Sequence, residues 1–322
     1  MSPVIMGSFR CIYSEKMRSF ALEYRQSLKN PETEDKVDLL LYRPLGFLSA
    51  KLAHWSGLSP TQVTLLGLLS GISAGFFFAD PSSTNLLIAA SLFFLSGVLD
   101  SADGQLARIS GRSSPFGLVL DGLCDNLVFG AVYLGCCTAL ASERGFWVWP
   151  LAIAAGFCHS LQCALLDFYL REFHFFTDET RGDSSWNPSP ADAKVRMQEA
   201  KTRQERFLWK LRFSWLLQQQ IFSTRSLGLR QEFRDRSRGP QGRAFREKYR
   251  KWNLPLLRFW HPLGANMHTL GIVVFASIGR FDLYLFFIDL LGMNAVLAFA
   301  SWMQWKSDMR LANWMKKTEV RN

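Results

Sequence analysis

Six long runs of apolar residues, almost free of charged side chains, dominate the pattern of the 322-residue chain. Most approach or exceed the roughly 20 residues needed to cross a bilayer core of about 30 Å. Apolar residues fill consecutive positions, which favours helices over the alternating strands of a barrel. The runs cover 59–78, 85–99, 115–140, 147–169, 263–278 and 283–305. The pattern predicts an all-α polytopic membrane protein with six transmembrane helices.

The segment before the first run has an amphipathic pattern. Within 39–55, leucines such as Leu48 and Leu52 recur at helical spacing, with Lys51 and other basic residues between them. This predicts an amphipathic helix in the membrane interface, although an ordinary helix packed on the soluble side also fits. Residues 59–62 then combine Ser, Pro and Gln in a capping-box order that marks the start of the first span.

The distribution of positive charge predicts the orientation of the spans. With the N-terminus in the cytoplasm, the outer loops are 80–84, 141–145 and 279–282, and they hold only two of the 37 Lys and Arg. Cytoplasmic loops are enriched in these residues. The first 36 residues lack a continuous apolar core, so we expect no cleavable signal peptide. The predicted protein is an integral membrane protein with both termini in the cytoplasm.

A long basic insert separates the fourth and fifth runs. Residues 171–258 contain 20 Lys and Arg against 10 Asp and Glu, a balance equal to the net charge of +10 of the whole chain. We expect a helix over 191–222 here. Attraction to anionic lipids, nucleic-acid binding and a merely solvated face are the alternative roles. The predicted segments are 1–36 (cytoplasmic N-terminus), 37–172 (amphipathic helix and spans 1–4), 173–258 (cytoplasmic insert) and 259–322 (spans 5–6 and tail).

Composition excludes several other classes of protein. The chain is 48% hydrophobic, which excludes a disordered protein. The cysteines form no C-x-x-C pair and no Cys/His metal spacing, so we expect reduced, small core residues. They are Cys11, Cys124, Cys136, Cys137, Cys158 and Cys163.

Four aspartates lie at the inner ends of the second and third runs, in the pattern D-x2-D-G-x2-A-R-x8-G-x3-D-x3-D. Asp100 and Asp103 are three residues apart and therefore share one helix face. Asp121 and Asp125, four residues apart, share a face of the next helix. The connection between the two helices is short, so we expect the four carboxylates to converge at one level of the membrane.

Such a cluster requires bound cations or protons. An aspartate in a spanning helix costs about 2.5–3.5 kcal/mol, and neighbouring carboxylates also repel one another. Mg²⁺ prefers carboxylate oxygens and keeps positions open for substrate phosphates. Two such ions would balance the four charges and could orient an in-line displacement at the phosphorus of a diphosphate. The pattern therefore favours a phosphoryl-transfer site, with Mn²⁺ as an alternative metal.

Small residues beside the aspartates leave space for a ligand. Gly104, Ala107 and Gly117 allow a bulky group to approach the backbone. A cation pathway in a transporter is the alternative reading of the acidic cluster. A pathway would spread its acids through the membrane depth, whereas these lie at one end of two adjacent helices.

At its eight specified positions this pattern resembles, without departure, the signature of the CDP-alcohol phosphatidyltransferase family. Residues 58–66, LSPTQVTLL, preceded by an amphipathic Arg-Pro helix, are also similar to the family's entry into its first span. The resemblance covers about 39–169 well and the last two spans by topology only. It implies six spanning helices, a homodimer, and a site that opens to the cytoplasm and to lipid.

The resemblance also implies an activity and residue roles. Family members transfer a phosphatidyl group from a CDP-linked donor, usually CDP-diacylglycerol, to an alcohol acceptor and release CMP. Asp125 would contribute to the metal site and act as the base that accepts the acceptor's hydroxyl proton. The metal ligands implied by position are Asp100, Asp103, Asp121 and Asp125. The cytidine and diphosphate pocket would be lined by Gly104, Ala107, Arg108 and Gly117.

The acceptor alcohol stays open at this point. Its candidate contacts are Arg112, His159, Gln162 and Arg171. A phosphorylated acceptor favours arginine, but for each residue taken alone the pattern favours hydrogen bonding between helices. The alternatives in function are a CDP-aminoalcohol phosphotransferase acting on diacylglycerol or ceramide, a cation transporter, and a membrane-tethered scaffold. The insert carries no recognition motif, so no nucleic-acid partner is expected.

Overall fold

The computed structural model describes residues 20–30, 32–80, 82–113, 115–177 and 189–319. Within these ranges the protein is helical and has no β-strand, so the all-α prediction is confirmed. Five described helices are long and apolar enough to cross a membrane: Pro60–Phe78, Ser83–Ser110, Gly117–Arg144, Val148–Thr177 and Phe281–Thr318. Cys11, residues 178–188 of the predicted insert, and most of the N-terminal segment 1–36 lie outside the described residues.

We number the principal helices in chain order. They are α1 (Arg43–Trp55), α2 (Pro60–Phe78), α3 (Ser83–Ser110), α4 (Pro115–Arg144), α5 (Val148–Thr177), α6 (Pro190–Glu199), α7 (Arg203–Phe222), α8 (Leu227–Arg238), α9 (Gly242–Trp260), α10 (Ala265–Ser277) and α11 (Asn294–Glu319). A π-helical turn, Asp38–Tyr42, precedes α1, and a longer one, Tyr284–Met293, precedes α11. The chain divides into two compact units, one of residues up to Phe77 with Ile88–Val132, the other of Phe78–Leu87 and residues from Tyr133 onward.

The predicted fifth span, 263–278, contains one described helix, α10. Helix α10 has 13 residues, so it extends only about 20 Å and is too short to cross the bilayer alone. A 3₁₀ turn, His261–Leu263, and then Gly264 connect it to α9. The number of six spans stays a prediction.

Helix α1 has the expected amphipathic character. Phe47 and Ala50 are buried on one face, whereas Leu48, Leu52 and Trp55 are exposed on the other. A helix with such an uncovered row of apolar side chains is suited to the interface of a bilayer.

Three glycines spaced four residues apart, Gly67, Gly71 and Gly75, form a stripe along α2. A Cβ atom at Gly71 would lie closer than 3.0 Å to the Val128 side chain of α4. A Cβ at Gly75 would come equally close to the carbonyl oxygen of Ala131. The backbones of α2 and α4 therefore approach each other where α2 has no side chain, a common form of helix packing in membranes.

Replacing Gly75 with alanine is expected to lower the thermal stability of the protein in detergent. The added methyl group meets backbone atoms that cannot rotate away, and overpacking of this kind costs about 1–3 kcal/mol. Gly130→Ala on α4 is the matched control, because a Cβ there meets nothing within 4 Å. Equal melting temperatures for the two variants would contradict this close packing.

The predicted helix over 191–222 is wrong in one respect, since two helices, α6 and α7, occupy this range. Ala200 is extended, and Thr202 caps the start of α7 in a capping box with Glu205. The side chain of each capping residue bonds to the backbone of the other. These bonds satisfy N–H groups that a new helix start would otherwise leave unpaired.

A buried ion network attaches the insert to α5 and α11. Glu172 accepts hydrogen bonds from Arg225 at 3.0 Å and from Arg230 at 2.7 Å. Arg225 also donates two hydrogen bonds to Asp308, at 2.7 and 3.1 Å. Burial alone would lower the pKa of Arg225, but the Asp308 and Glu172 carboxylates raise it well above its ordinary value. The guanidinium therefore stays charged, and two cations balance two carboxylates.

Candidate active site

Three of the signature aspartates converge in the first compact unit. Carboxylate oxygens of Asp100 and Asp103, on α3, and of Asp121, on α4, all lie within 4.8 Å of one another. The carboxyl group of Asp125 lies against that of Asp100, as does the carboxyl group of Asp121. Helical spacing predicts this arrangement, because the two pairs of aspartates occupy facing sides of consecutive helices.

The depth of burial differs among the four carboxylates. Asp103 is 5% exposed, Asp121 and Asp125 are half-buried, and Asp100 is exposed. The Thr64 hydroxyl of α2 donates a hydrogen bond to Oδ2 of Asp103. A third helix therefore orients the most buried carboxylate.

Two buried polar atoms at this site have no hydrogen-bond partner among the described residues. They are Oδ1 of Asp121 and Nη2 of Arg108. An unpaired carboxylate oxygen beside two other carboxylates suits a hard divalent cation. The unpaired guanidinium nitrogen is a donor for an anion such as a phosphate. The residues present therefore fit a divalent metal bound together with a phosphate-bearing ligand.

The small residues of the motif lie on the same two helices. Gly104 lies beneath the Arg108 side chain, since a Cβ there would be 3.4 Å from the guanidinium. Ala107 is half-buried on α3, and Gly117 is half-buried in the first turn of α4. The predicted pocket residues thus flank the aspartates along the helices, and Gly104 has no side chain to displace the Arg108 guanidinium.

Ser27, which precedes α1, and Arg43, the first residue of α1, hold one side of α3. The Ser27 carbonyl oxygen accepts a hydrogen bond from Nε of Arg108, and its hydroxyl accepts one from Gln105 at 3.0 Å. Arg43 donates to the Ser101 hydroxyl at 3.2 Å. Ser27 and Gln105 are fully buried. These bonds fix Arg108 through its Nε and leave Nη2 available to a ligand.

An ion pair stabilises this N-terminal segment. Arg43 contacts Glu34 at 2.5 Å, and the backbone N–H groups of Lys29 and Asn30 donate to the same carboxylate. Burial raises the pKa of Glu34, but Arg43 and the two N–H groups outweigh it and hold the pKa below its ordinary value of 4.5. Because the folded-state pKa is the lower one, the ionised Glu34 stabilises the fold at neutral pH. That contribution is lost as the pH falls from about 4.5 through the lowered pKa.

The candidate acceptor residues divide between the two compact units. Arg112 is exposed at the end of α3, in the first unit. In the second unit, Arg171 pairs with Asp167 at 2.7 Å, whereas His159 and Gln162 are buried within the helices. Their role as acceptor contacts stays a prediction.

Sequence analysis missed Thr64 and Ser27 as parts of the site. Thr64 falls in the segment LSPTQVTLL that resembles the family, but nothing in its type or spacing points to Asp103. Ser27 lies 81 residues from Arg108, and no periodic pattern connects the two. Contacts of this kind become visible only once the helices are packed.

Comparison with protein-family models agrees with the geometry. The model of CDP-alcohol phosphatidyltransferase matches residues 58–184, a segment that includes α2 to α5 and all four aspartates. No solved structure matches the chain.

Curated relatives match shorter stretches of the chain. Archaetidylinositol phosphate synthase of Pyrococcus horikoshii is 33% identical over 100 residues, which are 31% of this chain and 51% of the relative. Phosphatidylinositol phosphate synthase of Mycobacterium bovis is 37% identical over 79 residues, 24% of this chain and 36% of the relative. The bifunctional IPC transferase and DIPP synthase of Rubrobacter xylanophilus is 36% identical over 94 residues, which are 28% of this chain and 21% of the relative.

The chain therefore spans about half, or less, of the length of these relatives. Residues 58–184, which include the converging aspartates, match the model of the CDP-alcohol phosphatidyltransferase family.

Proposed function

We propose that this protein transfers a phosphatidyl group from CDP-diacylglycerol to an inositol phosphate and releases CMP. The observation that carries the proposal is the convergence of three carboxylates within 4.8 Å, one of which has a buried oxygen without a partner. The inositol phosphate acceptor is supported by the names of two relatives, each a synthase of an inositol phosphate lipid.

The four aspartates would hold divalent cations, Mg²⁺ or Mn²⁺, and two ions would balance their charge. Such cations would supply charge stabilisation for the diphosphate and for the departing CMP. Arg108, fixed through Ser27, would donate its unpaired Nη2 to a phosphate oxygen. Gly104, Ala107 and Gly117 would leave space for the cytidine and the diphosphate.

The reaction is a displacement at the phosphorus that carries the diacylglycerol. The acceptor hydroxyl oxygen forms the new P–O bond, the bond from that phosphorus to CMP breaks, and CMP leaves with the electron pair. Asp125 takes the hydroxyl proton, a role that requires hydrogen-bond reach more than high basicity. Asp125 suits this role because it is half-buried and lies at the edge of the cluster, against Asp100.

Asp125→Asn is expected to reduce turnover by about 10²–10⁴-fold, the usual contribution of a general base, while CDP and metal binding persist. Turnover is measured as CMP release, and CDP binding by calorimetry in detergent. A variant that turns over at the wild-type rate would exclude Asp125 as the base. Loss of CDP binding together with turnover would instead make it a metal ligand only.

The acceptor is tested by identifying the lipid product. The purified protein is supplied with CDP-diacylglycerol and, separately, with inositol phosphate, inositol, glycerol phosphate or serine, and lipids are analysed by mass spectrometry. A phosphatidylinositol phosphate product is expected. If lipid product forms only with another alcohol, inositol phosphate is not the acceptor. If it forms only from a CDP-aminoalcohol and diacylglycerol, CDP-diacylglycerol is not the donor. Arg112, exposed just after α3 in the same unit as the aspartates, is the proposed acceptor contact, and Arg112→Ala should raise the acceptor KM.

The proposal includes the arrangement in the membrane. Six spans, with α10 completing the fifth together with the end of α9, would place both termini and the aspartates on the cytoplasmic side. The scarcity of Lys and Arg in the three outer loops supports this orientation. A homodimer, as the family resemblance implies, is part of the same proposal.

A further inference from the structure

A second cluster of potential metal ligands lies in the other compact unit. His159 and Cys163, one turn apart on α5, and His268 on α10 each offer a ligand atom within 4.8 Å of the others. The two imidazole rings stack with centroids 3.7 Å apart. His159 is 5% exposed and His268 is fully buried. Two imidazoles and a thiol are the donor types that Zn²⁺ prefers, unlike the carboxylates of the first cluster.

A hydrogen bond fixes the orientation of His268. Nδ1 of His268 lies 2.8 Å from the Tyr284 hydroxyl. In the neutral tautomer whose Nδ1–H donates to that hydroxyl, Nε2 presents a lone pair. This is the second-shell arrangement that orients metal-binding histidines.

Nε2 of His268 has no hydrogen-bond partner among the described residues. Two further buried acceptors in this unit, Oε1 of Gln162 and Oδ1 of Asp289, also lack one. The hydrogen bonds distinguish the nitrogen of the Gln162 amide from its oxygen. The Asn294 nitrogen donates to the Leu290 carbonyl oxygen, so Oδ1 of Asn294 is left to accept from the Gln162 nitrogen. A buried acceptor without a donor is destabilising. An unpaired imidazole nitrogen beside two unpaired oxygen acceptors suits a cation that carries a bound water.

The backbone beside the cluster is interrupted. The 3₁₀ turn His261–Leu263 lies between α9 and α10, and the Leu263 carbonyl oxygen contacts Sγ of Cys163 at 3.5 Å. This turn adjoins the start of the predicted fifth span, 263–278. Non-helical backbone at membrane depth is tolerated where it is buried in protein, and broken helices in membranes often form ion sites.

We propose that His159, Cys163 and His268 bind a divalent transition metal of the Zn²⁺ class. Binding releases the Cys163 thiol proton to solvent and forms a metal–thiolate bond. The thiolate and the Asp289 carboxylate, which is linked to the cluster through Tyr133, balance the two positive charges. Three protein ligands leave a fourth position for a water molecule. That water could donate hydrogen bonds to Oε1 of Gln162 and Oδ1 of Asp289, which have no other donor among the described residues. This site is separate from the proposed transfer reaction.

Cobalt binding to the purified full-length protein tests this site. After metal removal by a chelator, Co²⁺ is added and the near-ultraviolet charge-transfer band of a cobalt–thiolate bond is recorded. We expect one equivalent to produce the band. Cys163→Ser should abolish it and weaken Co²⁺ binding at least about 100-fold, whereas the control Cys158→Ser, four residues before Gln162 on α5, should retain it. Asp100→Asn should retain it as well, since the carboxylate cluster has no sulfur.

X-ray absorption of the wild-type protein loaded with Zn²⁺ tests the same site without any variant, so the result does not depend on whether a variant folds. A sulfur neighbour at about 2.3 Å and nitrogen neighbours at about 2.0 Å are expected. A spectrum with oxygen and nitrogen neighbours only, or a cobalt–thiolate band that survives in Cys163→Ser, would overturn the proposal.

Discussion

Replacing Asp100 with asparagine is expected to reduce metal-dependent CMP release by about 10²–10³-fold or more, the cost of losing one well-placed electrostatic stabiliser. Asp100 is the centre of the cluster, because the carboxyl groups of Asp121 and Asp125 both lie against it. Asparagine has nearly the same shape but removes one of the negative charges that would hold the cations. The effect should therefore fall on metal affinity and turnover, with little change in folding.

The measurement for Asp100 is the rate of CMP release over a range of Mg²⁺ concentrations. Asp80→Asn is a matched control, since Asp80 is exposed beyond the end of α2 and accepts a hydrogen bond from the Asn85 side chain. We expect Asp80→Asn to have the wild-type rate and Mg²⁺ dependence. An Asp100→Asn protein with that same rate would contradict the role assigned to the aspartates.

Replacing Arg225 with methionine is expected to destabilise the protein by about 3–5 kcal/mol. The change removes one cation from a buried network and leaves Glu172 and Asp308 without their shared partner. Arg225 also packs with its guanidinium 5.2–5.9 Å from the ring centroids of four aromatic residues. Methionine restores part of the apolar contact but none of the charge.

Thermal unfolding in detergent measures this loss, with Arg243→Met as control. Arg243 pairs with Glu247 at 3.3 Å, but both side chains are largely exposed, and exposed pairs contribute about 0–1 kcal/mol. We expect a large fall in melting temperature for Arg225→Met and almost none for Arg243→Met. Equal melting temperatures would mean that the buried network does not hold the insert.

Simple periodicity predicted the helices that position the site. Asp100 and Asp103, and then Asp121 and Asp125, are spaced so that each pair must share a helix face. The short connection between α3 and α4 brings the faces together, so convergence needed no knowledge of the other helices. The amphipathic pattern of α1 was predicted on the same basis.

Features that depend on distant contacts could not be predicted in this way. Thr64 bonds to Asp103 and Ser27 to Arg108 across 39 and 81 residues. The ion network of Arg225 joins the insert to α5 and α11. Counting charges shows only that the insert is basic. A sum of charges cannot distinguish a solvated arginine from one that is buried between two carboxylates.

One local error has a physical reason. The helix predicted over 191–222 ignored the capping pair of Thr202 and Glu205, which starts a new helix. Capping residues of this kind carry information that a pattern of apolar positions averages away.

The most direct test of the proposed reaction is CMP release by the purified protein from CDP-diacylglycerol in the presence of an inositol phosphate. The assay is run with Mg²⁺, with EDTA, and with EDTA followed by excess Mg²⁺. We expect release that requires donor, acceptor and metal, stops with EDTA and recovers with Mg²⁺. Release that is indifferent to EDTA, or no release from any CDP-linked donor, would contradict a metal-dependent transferase built on these aspartates.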